Sequence, residues 1–549
     1  MTKTILKNKY YLYLTEFFAG MALMAVELGA SRLMAPYFSS SQIVWTIIIS
    51  TIMIAMALGN LYGGRSADKD PDPDRLYRRL LIAAVWISAI PVLGKYLILG
   101  ITGLLIVTIS RNLLTIAGFL ACMAIFVFPC FLLGTVTPSL TKYALLQEAQ
   151  SDPDQAEGLE KSGSIVGRLG AANTIGSIIG TFTPTFITIP AVGTAVTFLL
   201  FSGIILIIAL VYFISCRTRR TACIIACVLF ALFAVFGARS RFAFWEKDLT
   251  YEGESIYNYL QVKENDEEVV LSTNVMFGVQ SILKKDDSLS GMYYDYAMAA
   301  LYMRDVSANP AREDSPRILI LGNGTGTYAR QCLKYLPDSR VTGVEIDQSI
   351  TDLAREYFDM PGKVKVTTYD GRAYLQADKN LYDVIMVDAY QDISIPFQMA
   401  SAEFFTMVRD HLDDGGVMAV NMNMRASGEN SINDYLTDTI AHVFPYVSTA
   451  DVENYTNREL FASMNRSAGE VLRERTGRIA DGELRRLIGR VSLSLEEKKT
   501  EREDRILTDD RAPVEMLSMR AIDEIIAGEL AYYKDVYHKE GLKGILDSM

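Results

Sequence analysis

Apolar residues crowd the first 240 positions in runs of about 20, the length a helix needs to cross the hydrocarbon core of a bilayer. Seven such runs are predicted to span: Tyr11 to Met34, Val44 to Leu61, Leu76 to Leu93, Leu113 to Thr135, Ile165 to Ile189, Thr194 to Ile214 and Thr221 to Ala238. The stretch Tyr96 to Ile109 is too short to span comfortably and is expected at the membrane interface; if it does span, the parity of the bundle changes. No short apolar core with a small-residue cleavage site opens the sequence, so the first run is expected to be an anchor and not a removable signal.

Beyond this region the period shortens. Apolar runs now end in glycines or acids: ILILGNGTG (Ile318 to Gly326), VTGVEID (Val341 to Asp347), YDG (Tyr369 to Gly371) and VIMVDAY (Val384 to Tyr390). Four apolar residues before Gly322 predict a strand buried on both faces, and Gly322, Gly324 and Gly326 allow a tight turn beneath a ligand before a helix begins near Thr327. Glu345 follows Gly326 by 19 residues, at the end of a second buried strand, where a carboxylate can accept both hydroxyls of a ribose. Asp370 with Gly371 ends a third, where a carboxylate beside free backbone suits an adenine amino group. With no second phosphate-binding turn, the expected ligand is a nucleoside without a diphosphate. The competing reading is that these acids only cap strand ends and helices.

Further on, Phe404 to Gly416 reads as a helix with a turn, Val417 to Met424 as a buried strand and Ser431 to Phe444 as an amphipathic helix. Glu459 to Asn465 is strand-like, Ala468 to Glu503 charged and helical, and Leu507 to Leu517 a compact turn. The acids of TDDRAP within that turn could meet a cationic substrate, but capping of a helix by Thr508 or Asp509 is favoured.

These motifs, from about Ser255 to Met424, resemble the spermidine synthase family of aminopropyltransferases, within the larger class of S-adenosylmethionine-dependent methyltransferase folds. The resemblance implies an adenosyl sulfonium donor and gives Asp388 the place of the aspartate that deprotonates the attacking amine. Asp392 and Pro396 look like the second aspartate and the proline of the same loop, with one residue inserted between the acids. Tyr257 and Asn258 match a tyrosine-glutamine pair, and Tyr293, Tyr294 and Asp295 match a tyrosine-histidine-glutamate or tyrosine-glutamine-glutamate triplet. By the same resemblance Gly322, Gly324, Thr325, Gly326, Glu345, Asp347, Asp370, Gly371 and Pro396 line the donor, and Asn258, Tyr293, Tyr294, Asp295, Tyr390 and Asp392 the acceptor. Asn258, Tyr294 and Thr325 depart from the family pattern. At 325 the family usually carries an aspartate that binds the ammonium end of the aminopropyl group, and threonine supplies no charge. A neutral turn would tolerate the carboxylate of intact S-adenosylmethionine, so the co-substrate is expected to be either the decarboxylated or the intact compound, with no tightly bound cofactor.

Charge refines the picture. The chain is only 21% charged, with a net charge of −11, yet the first 245 residues carry about 19 Lys and Arg against 11 Asp and Glu, leaving the remainder near −19. An acidic domain suits a polyamine and repels nucleic acid. Lys3, Lys7 and Lys9 precede the first run, Arg65, Lys69, Arg75, Arg78 and Arg79 separate the second and third, and Arg217, Arg219 and Arg220 the sixth and seventh. That puts the N-terminus inside, and seven spans would then carry the soluble domain outside. Against this stand Arg239, Arg241 and the cytosolic supply of S-adenosylmethionine, so the side is left open with substrate supply favouring the cytoplasm. Within the runs, Glu16 and Glu27 share a helical face with Arg32 one turn on; intramembrane acids suggest function, a Glu27 to Arg32 lock being the alternative. Gly163, Gly167, Gly176 and Gly180 form two GxxxG pairs for close helix packing, and GNLYGGRSAD (Gly59 to Asp68) is similar to the loop between the second and third helices of major-facilitator transporters.

Other chemistries find no support. Five of the six cysteines lie in or beside apolar runs, only Cys332 lies outside them, and His411, His442 and His538 are far apart, so neither a disulfide framework nor a metal site is expected. The expected architecture is an N-terminal all-α membrane bundle (1–240), a small β-rich part (241–310) and a Rossmann-like S-adenosylmethionine-methyltransferase-type α/β domain (311–549). Three functions follow: a membrane-anchored aminopropyltransferase acting on putrescine or a related amine, a methyltransferase or other enzyme using the intact donor, and a transport protein that senses a nucleoside without chemistry. Expected partners are the amine, the adenosyl donor and the bilayer; a homo-oligomer stays open.

Overall fold

The computed structural model describes residues 8–38, 40–108, 112–151, 162–275, 279–390, 395–423, 425 and 428–548. Two compact units result, Met1–Glu246 with Gly253–Tyr259, and Lys247–Glu252 with Leu260–Met549.

The first unit is helical: α1 (Lys9–Phe38), α2 (Gln42–Lys69), α3 (Pro73–Thr108), α4 (Leu113–Gly134), α5 (Val136–Ser151), α6 (Ser162–Thr183), α7 (Ile189–Cys216) and α8 (Arg220–Gly237). Among the described residues six stretches are long and apolar enough to cross a membrane, by length and composition. One of them, Ser162–Cys216, runs 55 residues. That is more than twice the need of one crossing, and it breaks at Gly193, whose φ of 79° is not helical. Two of the seven expected runs therefore share this stretch and part at Gly193, with a π-helical turn at Pro184–Thr188 near the end of the first. The stretch from Tyr96 is no separate element: α3 continues without interruption to Thr108, 36 residues in all, or about 54 Å. After Pro91 no proline breaks its hydrogen-bond ladder.

Close approach of α1 and α6 explains half of the glycine pattern. A Cβ on Gly176 or Gly180 would overlap the carbonyl of Phe17 or Met21, and one on Gly20 would lie 2.6 Å from the Asn173 carbonyl. Gly163 and Gly167 meet nothing. Glu16, buried in α1, accepts through Oε1 from Thr137 Oγ1 (2.5 Å) and Asn173 Nδ2 (2.9 Å). GNLYGGRSAD is helix and not loop, forming the end of α2, where a Cβ on Gly59 would overlap the Phe131 carbonyl and one on Gly63 would lie 2.8 Å from Thr135 Cα.

Strands β1 (Leu249–Glu254), β2 (Tyr259–Glu264), β3 (Glu268–Ser272) and β4 (Ser281–Lys284), in the second unit save for Gly253, Glu254 and Tyr259, form a sheet in that order. Its apolar face, Leu260, Val262, Val269, Leu271 and Leu283, packs on Ile350, Leu353 and Phe358 of the following α/β part. The main sheet has eight strands: β5 (Arg317–Leu321), β6 (Arg340–Glu345), β7 (Lys365–Thr368), β8 (Tyr382–Val387), β9 (Leu412–Met422), β10 (Tyr446–Asp451), β11 (Arg458–Ser463) and β12 (Glu496–Lys498). Their order is β12-β10-β11-β9-β8-β5-β6-β7. From β9 to β7 the pairs are parallel, whereas β11 runs antiparallel to both β9 and β10. This is the Rossmann-like methyltransferase-type class that the sequence predicts. Because the chain winds outward from β5 in both directions, the carboxyl ends of β5 and β8 mark the switch point at which sheets of this kind take their ligands.

Two expected boundaries change. The turn after helix Ala402–Asp410 is already strand, since β9 begins at Leu412. Ala468 to Glu503 is two helices, Ala468–Arg475 and Gly482–Ser494, followed by the edge strand β12. Asp481 starts the second of these by accepting from Glu483 and Leu484 N–H.

Candidate active site

β5 ends in a turn built on three left-handed glycines, Gly322 (φ 88°), Gly324 (52°) and Gly326 (77°). Gly322 is required by β8: the Asp388 N–H donates to the Leu321 carbonyl at 2.8 Å, and a Cβ on Gly322 would overlap the Asp388 carbonyl and lie 2.8 Å from Ala389 Cα. Gly326 caps helix Thr327–Tyr335, with Met360 Cγ 2.7 Å from where a Cβ would stand. Gly322→Ala should cost about 2 to 5 kcal/mol, combining left-handed strain with backbone overlap. Thermal melting measures the loss, and an unchanged melting curve would show that β8 does not press on the turn.

Glu345 closes the turn from below. The Gly324 N–H donates to Oε2 (2.9 Å) and the Asp347 N–H to Oε1 (3.1 Å). Burial pushes this carboxyl up to about 6, against the pull of those amides. Asp347 caps helix Gln348–Tyr357 by accepting from Ser349 N–H (3.0 Å), and Asp370 caps helix Gly371–Ala377 by accepting from Ala373 N–H (2.8 Å). The capping bonds engage Oδ1 in each case. Both acids thus cap helices, while Glu345 holds the turn itself.

Asp388, half-buried after β8, is oriented through both oxygens: Tyr293 OH donates to Oδ2 (2.7 Å) and Asn421 Nδ2 to Oδ1 (2.8 Å). Asn421 is fixed in turn by Asn457 Nδ2, which donates to its Oδ1 (2.9 Å). Burial raises the Asp388 carboxyl to about 7; its two hydrogen bonds oppose the rise and the Glu345 charge adds to it. Burial and the Asp388 charge hold the Tyr293 phenol well above its ordinary value, so it stays a donor. Asn421 and Asn457 are absent from the sequence-based site. The available signal was an asparagine inside the apolar run VMAVNMNM, since a buried polar group needs partners.

Several expected residues turn inward. Tyr294 OH donates to the Ile282 carbonyl (2.8 Å) and accepts from its N–H (3.1 Å). Asp295 is buried, accepting from Gly291 N–H (2.6 Å), Ser290 Oγ (3.1 Å) and Gln331 Nε2, and burial raises it to about 6. Thr325 is 1% exposed and its hydroxyl pairs with that of Thr327 at 2.9 Å. Tyr390 OH donates to the Asn421 carbonyl (2.5 Å) and accepts from Asn423 N–H (2.9 Å). Gly371 opens its helix, and Pro396 precedes the 3-10 turn Phe397–Met399. Asn258 lies in the other compact unit, where its N–H donates to Ser255 Oγ (2.9 Å). Asp392 lies outside the described residues.

The TDDRAP assignment is corrected too. Asp509 caps no helix: its carboxylate takes a two-pronged grip from Arg372 (2.7 and 2.6 Å) and a bond from Ser401 Oγ (2.6 Å). Arg372 also donates to the Gln398 carbonyl (2.8 Å). The residue after Gly371 is thereby tied to the loop that follows Pro396.

Comparison with known proteins adds the following. Residues 302–465 match the spermine/spermidine synthase domain. A probable polyamine aminopropyl transferase of Bifidobacterium longum is 53% identical over 352 residues, covering 61% of this chain and 77% of that protein. Polyamine aminopropyltransferase 2 of Pseudomonas aeruginosa is 31% identical over 145 residues, which is 24% of this chain and 41% of the relative. Among solved structures, a probable spermidine synthase from Corynebacterium glutamicum shares 21% identity, with a TM-score of 0.35 over 46% of this chain and 90% of that one.

Proposed function

The chain belongs to the polyamine aminopropyltransferase family, and from that premise we propose that it moves the aminopropyl group of decarboxylated S-adenosylmethionine to putrescine or a related amine, releasing methylthioadenosine. The observation that carries this reading is the Asp388 carboxyl, aimed through both oxygens and raised to about 7. A base near the working pH takes a proton well. The amine nitrogen gives its proton to Asp388 and attacks the carbon beside the sulfonium; the C–S bond breaks with its electron pair on sulfur. Positioning and a base suffice for such a displacement.

Around Asp388, the backbone of Gly322, Gly324 and Gly326 passes beneath the nucleoside, Glu345 accepts from the ribose and Asp370 from the adenine amino group. Asp347, Gly371, Thr325 and Pro396 complete the donor wall. Tyr293 faces the amine with Asp392, whereas Tyr294, Asp295 and Tyr390 act through the groups they fasten. The helical unit, 1–240, anchors the enzyme in the cell membrane, with 241–310 and 311–549 forming its β-rich and catalytic parts.

The deciding experiment incubates the purified protein with each donor and several amines and weighs the nucleoside product. Methylthioadenosine is expected from the decarboxylated donor; S-adenosylhomocysteine from the intact one would replace this reading with methyl transfer. Since Asp388 must be ionised to act, kcat/KM should fall about tenfold per pH unit below about 7, and a flat acid limb would remove it from the role.

Uncharged Thr325 favours the intact donor as a second reading. If the aminopropyl reading holds, Thr325→Asp leaves affinity for the decarboxylated donor equal or higher. If the intact donor is natural, its affinity drops roughly tenfold or more, since about 1.4 kcal/mol of carboxylate repulsion suffices. Binding curves for both donors decide, and a variant matching the parent in both would show that residue 325 does not face the propyl end.

A further inference from the structure

Glu459 on β11 has no measurable exposure, and neither of its carboxyl oxygens has a hydrogen-bond partner among the described residues. A buried carboxyl left so is rare, because the charged form is costly without a cation or donors. Its place in the sheet accounts for it. Glu459 stands directly opposite Asn421 on β9, so the two side chains leave the same face, and the Asn421 amide is the donor that holds Asp388. The ionisable groups that interact with Glu459 are Asp388 at the end of β8, Tyr390 beyond it, Tyr293 in the helix Tyr293–Ala297 and Tyr328 in the helix Thr327–Tyr335. All are acids, so nothing in this set offsets a negative charge.

Of two carboxyls that interact in a buried site, the one without partners keeps the proton. Asp388 receives two hydrogen bonds and Glu459 none, so Asp388 ionises first. We propose that Glu459 is a second carboxyl of the active site, protonated while the site is empty and ionised by the entry of the cationic amine, so that amine binding expels a proton. This rests on the aminopropyl-transfer reading, which brings an ammonium against Asp388. The proton balance is simple: the Glu459 O–H proton goes to solvent on binding, and the ammonium proton goes later to Asp388. Glu459 is then a positioning residue, whose charge holds the ammonium in place without touching the reacting atoms.

Calorimetry on the full chain in detergent tests this with putrescine, methylthioadenosine being present as a dead-end nucleoside. At about pH 8 Asp388 is already ionised, since its carboxyl lies at about 7. In two buffers of different ionisation enthalpy the parent should release a proton per amine bound. Glu459→Gln should bind the amine roughly tenfold more weakly and release none. Should the variant not fold, infrared spectra of the parent alone give the answer: a protonated carboxyl band is expected without amine and its loss with it. No binding of putrescine, binding without a proton, equal release by the variant or a band that persists with amine would each overturn the proposal. The aminopropyl reading is judged separately by the mass of the nucleoside product, which these measurements do not use.

Discussion

Asp388→Asn should lower turnover by about two to four orders of magnitude while affinity for methylthioadenosine stays within about threefold of the parent. Asparagine keeps the shape but takes no proton. One of its two polar atoms must also be an N–H, so either Tyr293 or Asn421, both donors to the present carboxylate, would meet a donor. Stability should move the other way. Burial raises this carboxyl from 3.8 to about 7, so the folded chain holds the proton more tightly than the unfolded one. Its contribution is therefore greatest below about 4 and is lost as pH rises through about 7. Asparagine has no such loss, and the variant should melt at or above the parent temperature at pH 8. Turnover within about threefold of the parent would mean that another group is the base.

Glu345→Ala should weaken methylthioadenosine binding about a hundredfold, with the protein still folded. The carboxylate holds both the Gly324 and the Asp347 amides and is the proposed acceptor for ribose. Its removal leaves two N–H groups without their partner as well as taking away a contact, each loss being worth about 1 to 3 kcal/mol. Glu345→Gln offers one acceptor where the carboxylate offers two, and should fall between. Titration calorimetry reads both variants; unchanged affinity in the alanine variant would falsify the assignment of this turn to the nucleoside.

How much of this was legible in the sequence depends on the range of the interaction. Apolar runs and their terminal glycines and acids act locally, which is why β5, β6 and β8, the glycine turn and close helix packing at Gly176 and Gly180 follow from residue order, though not that α1 is the partner. Side-chain partners across the sheet do not. Asn421 meets Asn457 and Glu459 because β11 inserts antiparallel between β9 and β10, and no local pattern sets that order. The same holds for Tyr294 and Asp295: the motif marks them, but their oxygens are taken up by Ile282, Gly291 and Gln331. In the helical unit, composition marked the apolar runs but not the length of α3, since nothing after Leu93 stops a helix.

The grip of Asp509 on Arg372 has a consequence in time. These residues are 137 positions apart, and ribosomes add roughly 5 to 20 residues per second. For roughly 7 to 27 seconds of synthesis a growing chain thus owns the strands from β5 to β7 but lacks the carboxylate that fastens the segment after Gly371. Until Asp509 emerges the segment after Gly371 is untethered, and on the proposed contact of Asp370 with adenine a nascent chain stalled in that interval should hold the nucleoside more loosely than the finished protein.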